Sequence, residues 1–313
     1  MSLRIGGSIP QSGDQVLDIA RLRRFVIRAE ELGFDSLWVA EQIFGPGPRL
    51  DALGLLTYAA ALTSRVRLVS GILLSALRNP VLLAKSIATL DHLSGGRTVV
   101  GVGLSGDRDV YPAMGYRPED RGKRFEAGIR LIRRAWTEPS LSDENEFWSI
   151  KEEKLEPKPL QKPHPPIWFG GSNPKALARA VALGDGWIGA GAAPPARFVV
   201  ECEQLQGELQ KAGRDPSTFT IAKRLYVAVS DDGALALTRA RQWFSTTYHG
   251  RDPAMAGDVC IVGTPDACAE QIHRLVKGRV THLALSPVFD EVEQLEVLGR
   301  ELMPRLRQLT GNQ

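Results

Sequence analysis

The sequence has 313 residues, a formal net charge of +3, 43% apolar and 24% charged residues, which is ordinary for a large globular domain. Its longest apolar runs are too short to span a bilayer, and its basic residues are spread among acidic ones, so we expect neither a membrane nor a nucleic-acid partner. Three scattered cysteines and a start without a charged-then-apolar leader predict a cytoplasmic protein with no disulfide framework and no metal cluster.

Short apolar runs alternate with longer segments of helical periodicity along the chain. The predicted strands are residues 4–10, 36–40, 66–75, 98–104, 167–171, 186–190, 219–229 and 281–285. The predicted helices are residues 14–33, 51–62, 80–95, 119–136, 174–184, 195–213, 232–248 and 292–309. A short loop-and-helix region is expected between the seventh helix and the last strand.

Eight strand–helix units in succession predict parallel strands covered by helices. Their number and the chain length favour a closed (β/α)8 barrel, the TIM-barrel fold, over an open doubly wound sheet. The first strand–helix turn also lacks the glycine spacing of a dinucleotide-binding sheet. We therefore predict one α/β barrel domain over residues 1–313. Residues 138–166 contain six prolines and predict a lid-like insertion, bearing a hairpin, before the fifth strand.

The active site of such a barrel is built by the loops that follow the strands. Two consecutive strands end in small residues, which are Gly170, Gly171 and Ser172 for the first and Gly189, Ala190 and Gly191 for the second. Small residues let backbone N–H groups approach an anion, and a following helix adds partial positive charge. The two turns together predict a phosphate site. The alternative is that the glycines mark ordinary tight turns and that Ser172 is only a helix N-cap.

Three segments of the sequence occur in the order and spacing of a known family. They are LGFDSLWVAEQ, NPVLLAKSIATLDHLSGGRTVVGVGLSG and PPIWFGGSNPKALARAVALGDGWIG. In these segments the chain resembles the luciferase-like monooxygenase superfamily, whose members are FMN- or coenzyme F420-dependent oxidoreductases on a (β/α)8 barrel. The resemblance implies that both glycine turns hold the cofactor phosphate. It also implies a non-prolyl cis peptide after Ser70, at Gly71–Ile72 or one bond either side, that backs the cofactor ring.

The resemblance also points to candidate acid–base residues. F420-dependent members often carry Asp-His after the second strand, where this chain has Glu41 and Gln42. After the fourth strand, relatives place polar groups that contact the ring. The matching positions here are Gly103, Ser105 and Asp107, and Asp107 is the leading acid–base candidate, with Glu41 competing. Ser8, Tyr226 and Ser286 close the first, seventh and eighth strands, where they either contact the ring or the substrate or only fill the barrel mouth.

The function expected from these features is flavin-type redox catalysis on a small organic substrate of unknown identity. It takes the form of F420-dependent hydride transfer, which we slightly favour, or of monooxygenation with reduced FMN. A separate flavin or F420 reductase and a second copy of the chain, as a homodimer, are the expected protein partners. Two rivals remain open. One is a non-redox TIM-barrel enzyme of a phosphorylated metabolite, for which Lys223 is the only suitably placed lysine; the other is a non-catalytic flavin-binding barrel.

Overall fold

A closed barrel of parallel strands forms the centre of the protein, whose computed structural model describes residues 3–11, 18–45, 47–247 and 252–311. The strands are β1 (Arg4–Ser8), β2 (Ser36–Val39), β3 (Arg67–Ser70), β4 (Thr98–Val102), β5 (Leu141–Glu144), β6 (Ser149–Glu153), β7 (Ile167–Gly170), β8 (Gly186–Gly189), β9 (Thr220–Val229), β10 (Cys260–Gly263) and β11 (His282–Pro287). The order β9-β11-β1-β2-β3-β4-β7-β8 closes on itself because β8 also pairs with β9. The predicted eight-stranded barrel is confirmed.

Helices cover the outside of this barrel. They are α1 (Ile19–Glu31), α2 (Ala52–Leu62), α3 (Pro80–Leu93), α4 (Val110–Ala113), α5 (Arg121–Thr137), α6 (Pro174–Leu183), α7 (Pro195–Lys211), α8 (Gly233–Thr247), α9 (Ala256–Val259), α10 (Pro265–Val276), α11 (Glu291–Val297) and α12 (Met303–Leu309). None of these described helices is long and apolar enough to cross a membrane. The predicted start of the first helix at residue 14 and the end of the seventh at residue 248 lie outside the described residues.

Local capping explains where the helices begin. The side chain of Asp51 accepts a hydrogen bond from the Gly54 amide at the start of α2. Asn79 accepts bonds from two amides at the start of α3, whose first residue is Pro80. Such caps satisfy backbone donors that have no partner inside the helix, and proline fits the first position because its missing N–H is not needed there. The predicted helix starts at these two places are therefore accurate to one residue.

The predicted elements differ from the structure most clearly at three places. The loop-and-helix region before the last strand contains β10, which pairs with the second half of β9 outside the barrel. The third strand was predicted to run to residue 75 but ends at Ser70, where the chain bulges. The last helix, predicted as one element, has a π-helical turn, Leu298–Leu302, between α11 and α12. In that turn a side chain on Gly299 would contact Leu32 at the end of α1.

Large side chains fill the interior of the barrel. Trp38 and Trp168 lie with ring centroids 5.9 Å apart, and the buried His282 ring lies 5.1 Å from that of Trp168. Five aliphatic residues complete this interior cluster, which are Val69, Val99, Ile188, Ala222 and Ala284. Because the core of the barrel is filled, open space for a ligand is left at the mouth.

The segment 138–166 carries the predicted hairpin, formed by antiparallel β5 and β6. It packs against the outside of the helix layer. The Lys85 ammonium of α3 donates to the Glu156 carbonyl, and the Lys158 ammonium donates to the Ala135 carbonyl of α5 at 2.8 Å. Its role as a lid stays a prediction, since its contacts lie on α3 and α5.

Candidate functional site

A cavity of about 610 Å³ opens at the carboxyl ends of the barrel strands, the end where barrel enzymes place their sites. It is lined by the ends of β1 and β11, by the segments that follow β1, β2, β3, β4 and β11, and by residues of β9 and α8. The predicted site residues that line it are Ser8, Glu41, Gln42, Ser105 and Asp107. The other polar or aromatic lining residues are Gln11, Phe44, Arg49, Arg224, Tyr226, Trp243, Ser286 and Glu291. The structure thus brings five of the predicted site residues together around one cavity.

The chain bulges directly after β3. The Gly71–Ile72 peptide is cis, at the bond that the resemblance implied. Ser70 anchors the bulge to β4, because its hydroxyl donates to the Gly101 carbonyl at 2.9 Å and accepts from the Gly101 amide at 2.8 Å. The side chain of Ile72 then packs with the interior cluster of the barrel. The bulge is therefore fixed from two sides, by a hydroxyl on one strand and by packing inside the barrel.

Two of the predicted site glycines make room for this bulge. A Cβ at Gly103 would collide with the end of the Ile72 side chain, and one at Gly170 would lie 3.1 Å from it. Glycine at these positions therefore has a packing reason that the sequence did not disclose. Neither glycine lines the cavity, so their assignment to cofactor binding stays a prediction.

The two glycine turns lie side by side at the mouth. Gly170 of β7 pairs with Ile188 of β8, so the turns that follow these strands are neighbours. The indole N–H of Trp187 donates to the Gly171 carbonyl at 2.7 Å and ties one strand to the other turn. This arrangement is what a shared phosphate site requires.

The amides of these turns are available to a ligand. Among the hydrogen bonds of the described chain, none is donated by the amides of Gly171, Ser172 or Gly191. Asn173, rather than Ser172, caps α6, because its side chain accepts from the Ala176 amide at 2.9 Å. Ser172 is thereby left at the N-terminal end of a ten-residue helix, where the helix dipole favours an anion.

A buried lysine lies beneath the second glycine turn. Lys223 follows Ala222, which faces the barrel interior, so its side chain points outward and reaches the Phe198 ring of α7 at 4.9 Å. Its ammonium donates to the carbonyls of Ala190 and Ala193. Burial lowers the pKa of Lys223 to about 8. Gly189 is held small because a Cβ there would lie 2.5 Å from the Phe198 ring.

This placement bears on the non-redox alternative. Lys223 is 1% exposed and does not line the cavity. A Schiff-base lysine has to reach a carbonyl of its substrate. Lys223 therefore points away from the cavity and cannot form the Schiff base that a non-redox enzyme of this kind would need. Its ammonium instead holds the loop after β8.

Each predicted acid–base residue has a distinct environment. The Glu41 side chain is 3% exposed, and its carboxylate accepts from the Leu74 amide at 2.5 Å and from the Arg78 Nε at 3.0 Å. The Gln42 amide donates to a carbonyl two residues further on. Asp107 is exposed and accepts from the Asp109 amide at 2.9 Å, within its own loop. Glu41 is therefore built into the wall of the cavity, whereas Asp107 lies at its rim.

The polar centre of the cavity joins Ser8 and Ser286, which the sequence pointed to, with Arg224, which it did not. The Nε of Arg224 donates to the Ser286 hydroxyl at 2.9 Å, and the hydroxyls of Ser286 and Ser8 lie 2.5 Å apart. The guanidinium also lies 5.2 Å from the Tyr226 ring centroid. Strand periodicity could have found it, because Arg224 shares the inward face of β9 with Ala222. A charged side chain in the middle of that face is a binding feature.

Comparison with known proteins gives a consistent family. A sequence model described as luciferase-like monooxygenase matches residues 3–282. An F420-dependent glucose-6-phosphate dehydrogenase of Kineococcus radiotolerans is 30% identical over 92% of this chain and 93% of that protein. An FMNH2-dependent dimethylsulfone monooxygenase of Pseudomonas putida is 27% identical over 93% and 89%. The solved structure of an F420-dependent secondary alcohol dehydrogenase with an F420-acetone adduct superimposes with a TM-score of 0.82 at 22% identity, covering 98% of this chain and 100% of that one.

Proposed function

We propose that the cofactor of this protein is coenzyme F420. The chain belongs to the luciferase-like monooxygenase family and is therefore an F420- or FMN-dependent oxidoreductase. The similarity that supports this choice is the 30% identity to an F420-dependent enzyme over nearly the full length of both proteins. The Gly71–Ile72 bulge agrees with it, whereas Glu41 and Gln42 depart from the Asp-His pair of many F420-dependent relatives. When bound, F420 supplies a hydride donor or acceptor for an organic substrate.

The two glycine turns are the proposed phosphate site. The free amides of Gly171, Ser172 and Gly191 supply donors, and the N-terminus of α6 supplies partial positive charge. The ammonium of Lys223 donates to the carbonyls of Ala190 and Ala193, which fixes the second turn and places a buried cation beside it. These groups fit a phosphate because they combine backbone donors with positive charge and leave room that only small residues allow.

The remaining parts of the site have assigned roles in this proposal. The bulge at Gly71 and Ile72 supports the ring, and Glu41 with Arg78 fixes the loop that borders it. Tyr226 and Trp243, whose rings lie 4.9 Å apart, form an apolar wall of the cavity that excludes water from the substrate. Asp107, exposed at the rim, is the proposed acid–base residue. A cytoplasmic location, a separate F420 reductase and a homodimer belong to the same proposal.

Titration of the purified protein with F420 and with FMN, followed by cofactor fluorescence, tests the choice. We expect a micromolar dissociation constant for F420 and weaker binding of FMN. Tighter binding of FMN would instead favour monooxygenation with reduced FMN as the activity. This is the second candidate function because the chain is also similar to an FMNH2-dependent dimethylsulfone monooxygenase. Failure of both cofactors to bind below millimolar concentration would overturn the proposed phosphate site itself.

A further inference from the structure

Arg224, Ser286 and Ser8 form the polar centre of the cavity, the arginine–serine cluster. Ser286 is 3% exposed, so its hydroxyl has little access to water. It accepts the bond from the Arg224 Nε, and only one of the two serine hydroxyls can donate to the other. In either arrangement one hydroxyl hydrogen is left over. The terminal nitrogens of Arg224 donate no hydrogen bond within the described chain. The cluster therefore presents donors and no spare strong acceptor to the cavity.

Among the described residues, no carboxylate compensates the charge of the cluster. Of the carboxylates that line the cavity, Glu41 is paired with Arg78, and Glu291 is paired with Arg21 at 3.0 Å. Asp107 is engaged by an amide of its own loop. No described carboxylate forms an ion pair with the guanidinium of the cluster. A half-buried cation without a counterion is costly, so its presence at a ligand cavity indicates an anionic ligand.

We propose that the arginine–serine cluster binds the carboxylate of the substrate, which makes the protein an oxidoreductase of small organic acids. This rests on the proposed function and adds the substrate class. With its Nε–H engaged, the planar guanidinium keeps four N–H groups, and two of these, one on each terminal nitrogen, are parallel and match the two oxygens of a carboxylate. The leftover serine hydroxyl adds a third donor. Beside the cluster, the rings of Tyr226 and Trp243 suit an apolar or aromatic substituent.

The cluster lies apart from the proposed phosphate site along the strand order. The glycine turns follow β7 and β8, whereas the cluster is carried by β9, β11 and β1, the next three strands around the barrel. None of the residues of the two glycine turns lines the cavity that contains the cluster. Two anionic groups, one on the cofactor and one on the substrate, thus have separate sites on adjoining parts of the mouth.

Calorimetric titration with benzoate and hexanoate, each compared with its neutral amide, tests this on the protein with and without F420. We expect the wild type to bind the carboxylates and to bind the amides at least tenfold more weakly. Arg224→Gln should weaken carboxylate binding at least tenfold and leave the dissociation constant of F420 unchanged. Ser286→Ala should weaken it severalfold. Arg4→Gln is the charge-matched control, because exposed Arg4 begins β1 at the opposite end of the barrel.

The outcomes separate this inference from the proposed function. Equal carboxylate binding by the wild type and a folded Arg224→Gln variant overturns the inference, and so does a wild type that binds none of the carboxylates. Loss of F420 binding in Arg224→Gln with unchanged carboxylate binding would assign the guanidinium to the cofactor and would likewise overturn it. Failure of F420 to bind while the carboxylates bind through Arg224 would leave the cluster standing and remove only the choice of cofactor. If Arg224→Gln does not fold, Arg224→Lys replaces it: it keeps the charge but loses the parallel N–H pair, and we expect it to bind the carboxylates more weakly than wild type.

Discussion

The substitution Gly171→Ala addresses the proposed phosphate site directly. Gly171 has a φ of +114°, and a Cβ added to it would lie 2.8 Å from the Ala176 Cβ in α6. An alanine forced to keep that backbone conformation costs about 1–3 kcal/mol, before the contact is counted. The turn can instead relax, but its amides then move away from where a phosphate would lie. Since about 1.4 kcal/mol corresponds to a factor of ten in binding, we expect the dissociation constant of F420 to rise at least about tenfold.

The control for this substitution is Gly95→Ala. Gly95 also has a positive φ, +67°, but it follows α3 away from the glycine turns, and no atom lies within 4 Å of an added Cβ. It should therefore lose stability through backbone strain alone and keep the wild-type affinity for F420. Chemical denaturation gives the loss of stability of both variants, and fluorescence titration gives the affinity. A folded Gly171→Ala protein that binds F420 as tightly as wild type would refute the assignment of this turn to the phosphate.

Three further substitutions test buried ionisable groups. Burial lowers the pKa of Lys223 to about 8 from its usual 10.5. Between these two pH values the unfolded chain therefore binds up to one more proton than the folded chain. Chemical denaturation should show the free energy of unfolding of wild type, relative to Lys223→Met, rising by about 3 kcal/mol as the pH rises from 8 to 10.5. Burial and two nearby arginines lower the pKa of His282 to about 3 from 6.5. As the pH falls through this range, the unfolded chain gains a proton that the folded chain does not, so the free energy of unfolding of wild type should fall by about 5 kcal/mol. The variant His282→Gln should not show this loss. Glu41→Gln should reduce the free energy of unfolding by about 1.5–3 kcal/mol, because Asp51 is then the remaining counterion of Arg78 among the described residues. An unchanged midpoint of chemical denaturation would contradict this expectation.

The barrel could be predicted because each of its strands is a short apolar run followed by a helix, and this order is written along the chain. The prediction failed where a strand depends on a single distant neighbour. Cys260–Gly263 is four residues long and pairs only with the outer half of β9. Nothing in such a short segment distinguishes a strand from a loop, since the partner that orders it lies more than thirty residues earlier. The early end of β3 is a similar case, because its bulge is fixed by contacts with β4 and the barrel interior.

The glycine turns were predictable for a geometric reason. Strands that are consecutive in a barrel are also adjacent in space, so two glycine-bearing turns in sequence become neighbours in the structure. For the arginine–serine cluster, strand periodicity places Arg224 on the inward face of β9, but no local signal brings it together with its two serines. Its two serines are separated by 278 residues and meet only because the first and last strands of the barrel pair. The role of Glu41 was equally hidden, since its partner Arg78 lies 37 residues further along the chain.

The closure of the barrel therefore determines what the mouth can bind. Trp38 and Trp168 fill the interior, so a ligand ring has to lie at the mouth, where the loops supply its contacts. If the proposed phosphate site after β7 and β8 and the bulge after β3 both contact the cofactor, it would extend across the sector of β4 that separates them. The sector of β9, β11 and β1 would then be left for the substrate, and it carries the guanidinium of Arg224, which forms no ion pair with any described carboxylate. A cation placed there would attract an anionic substrate without adding to the proposed cofactor phosphate site, for which the glycine turns offer amide donors and Lys223 a further cation.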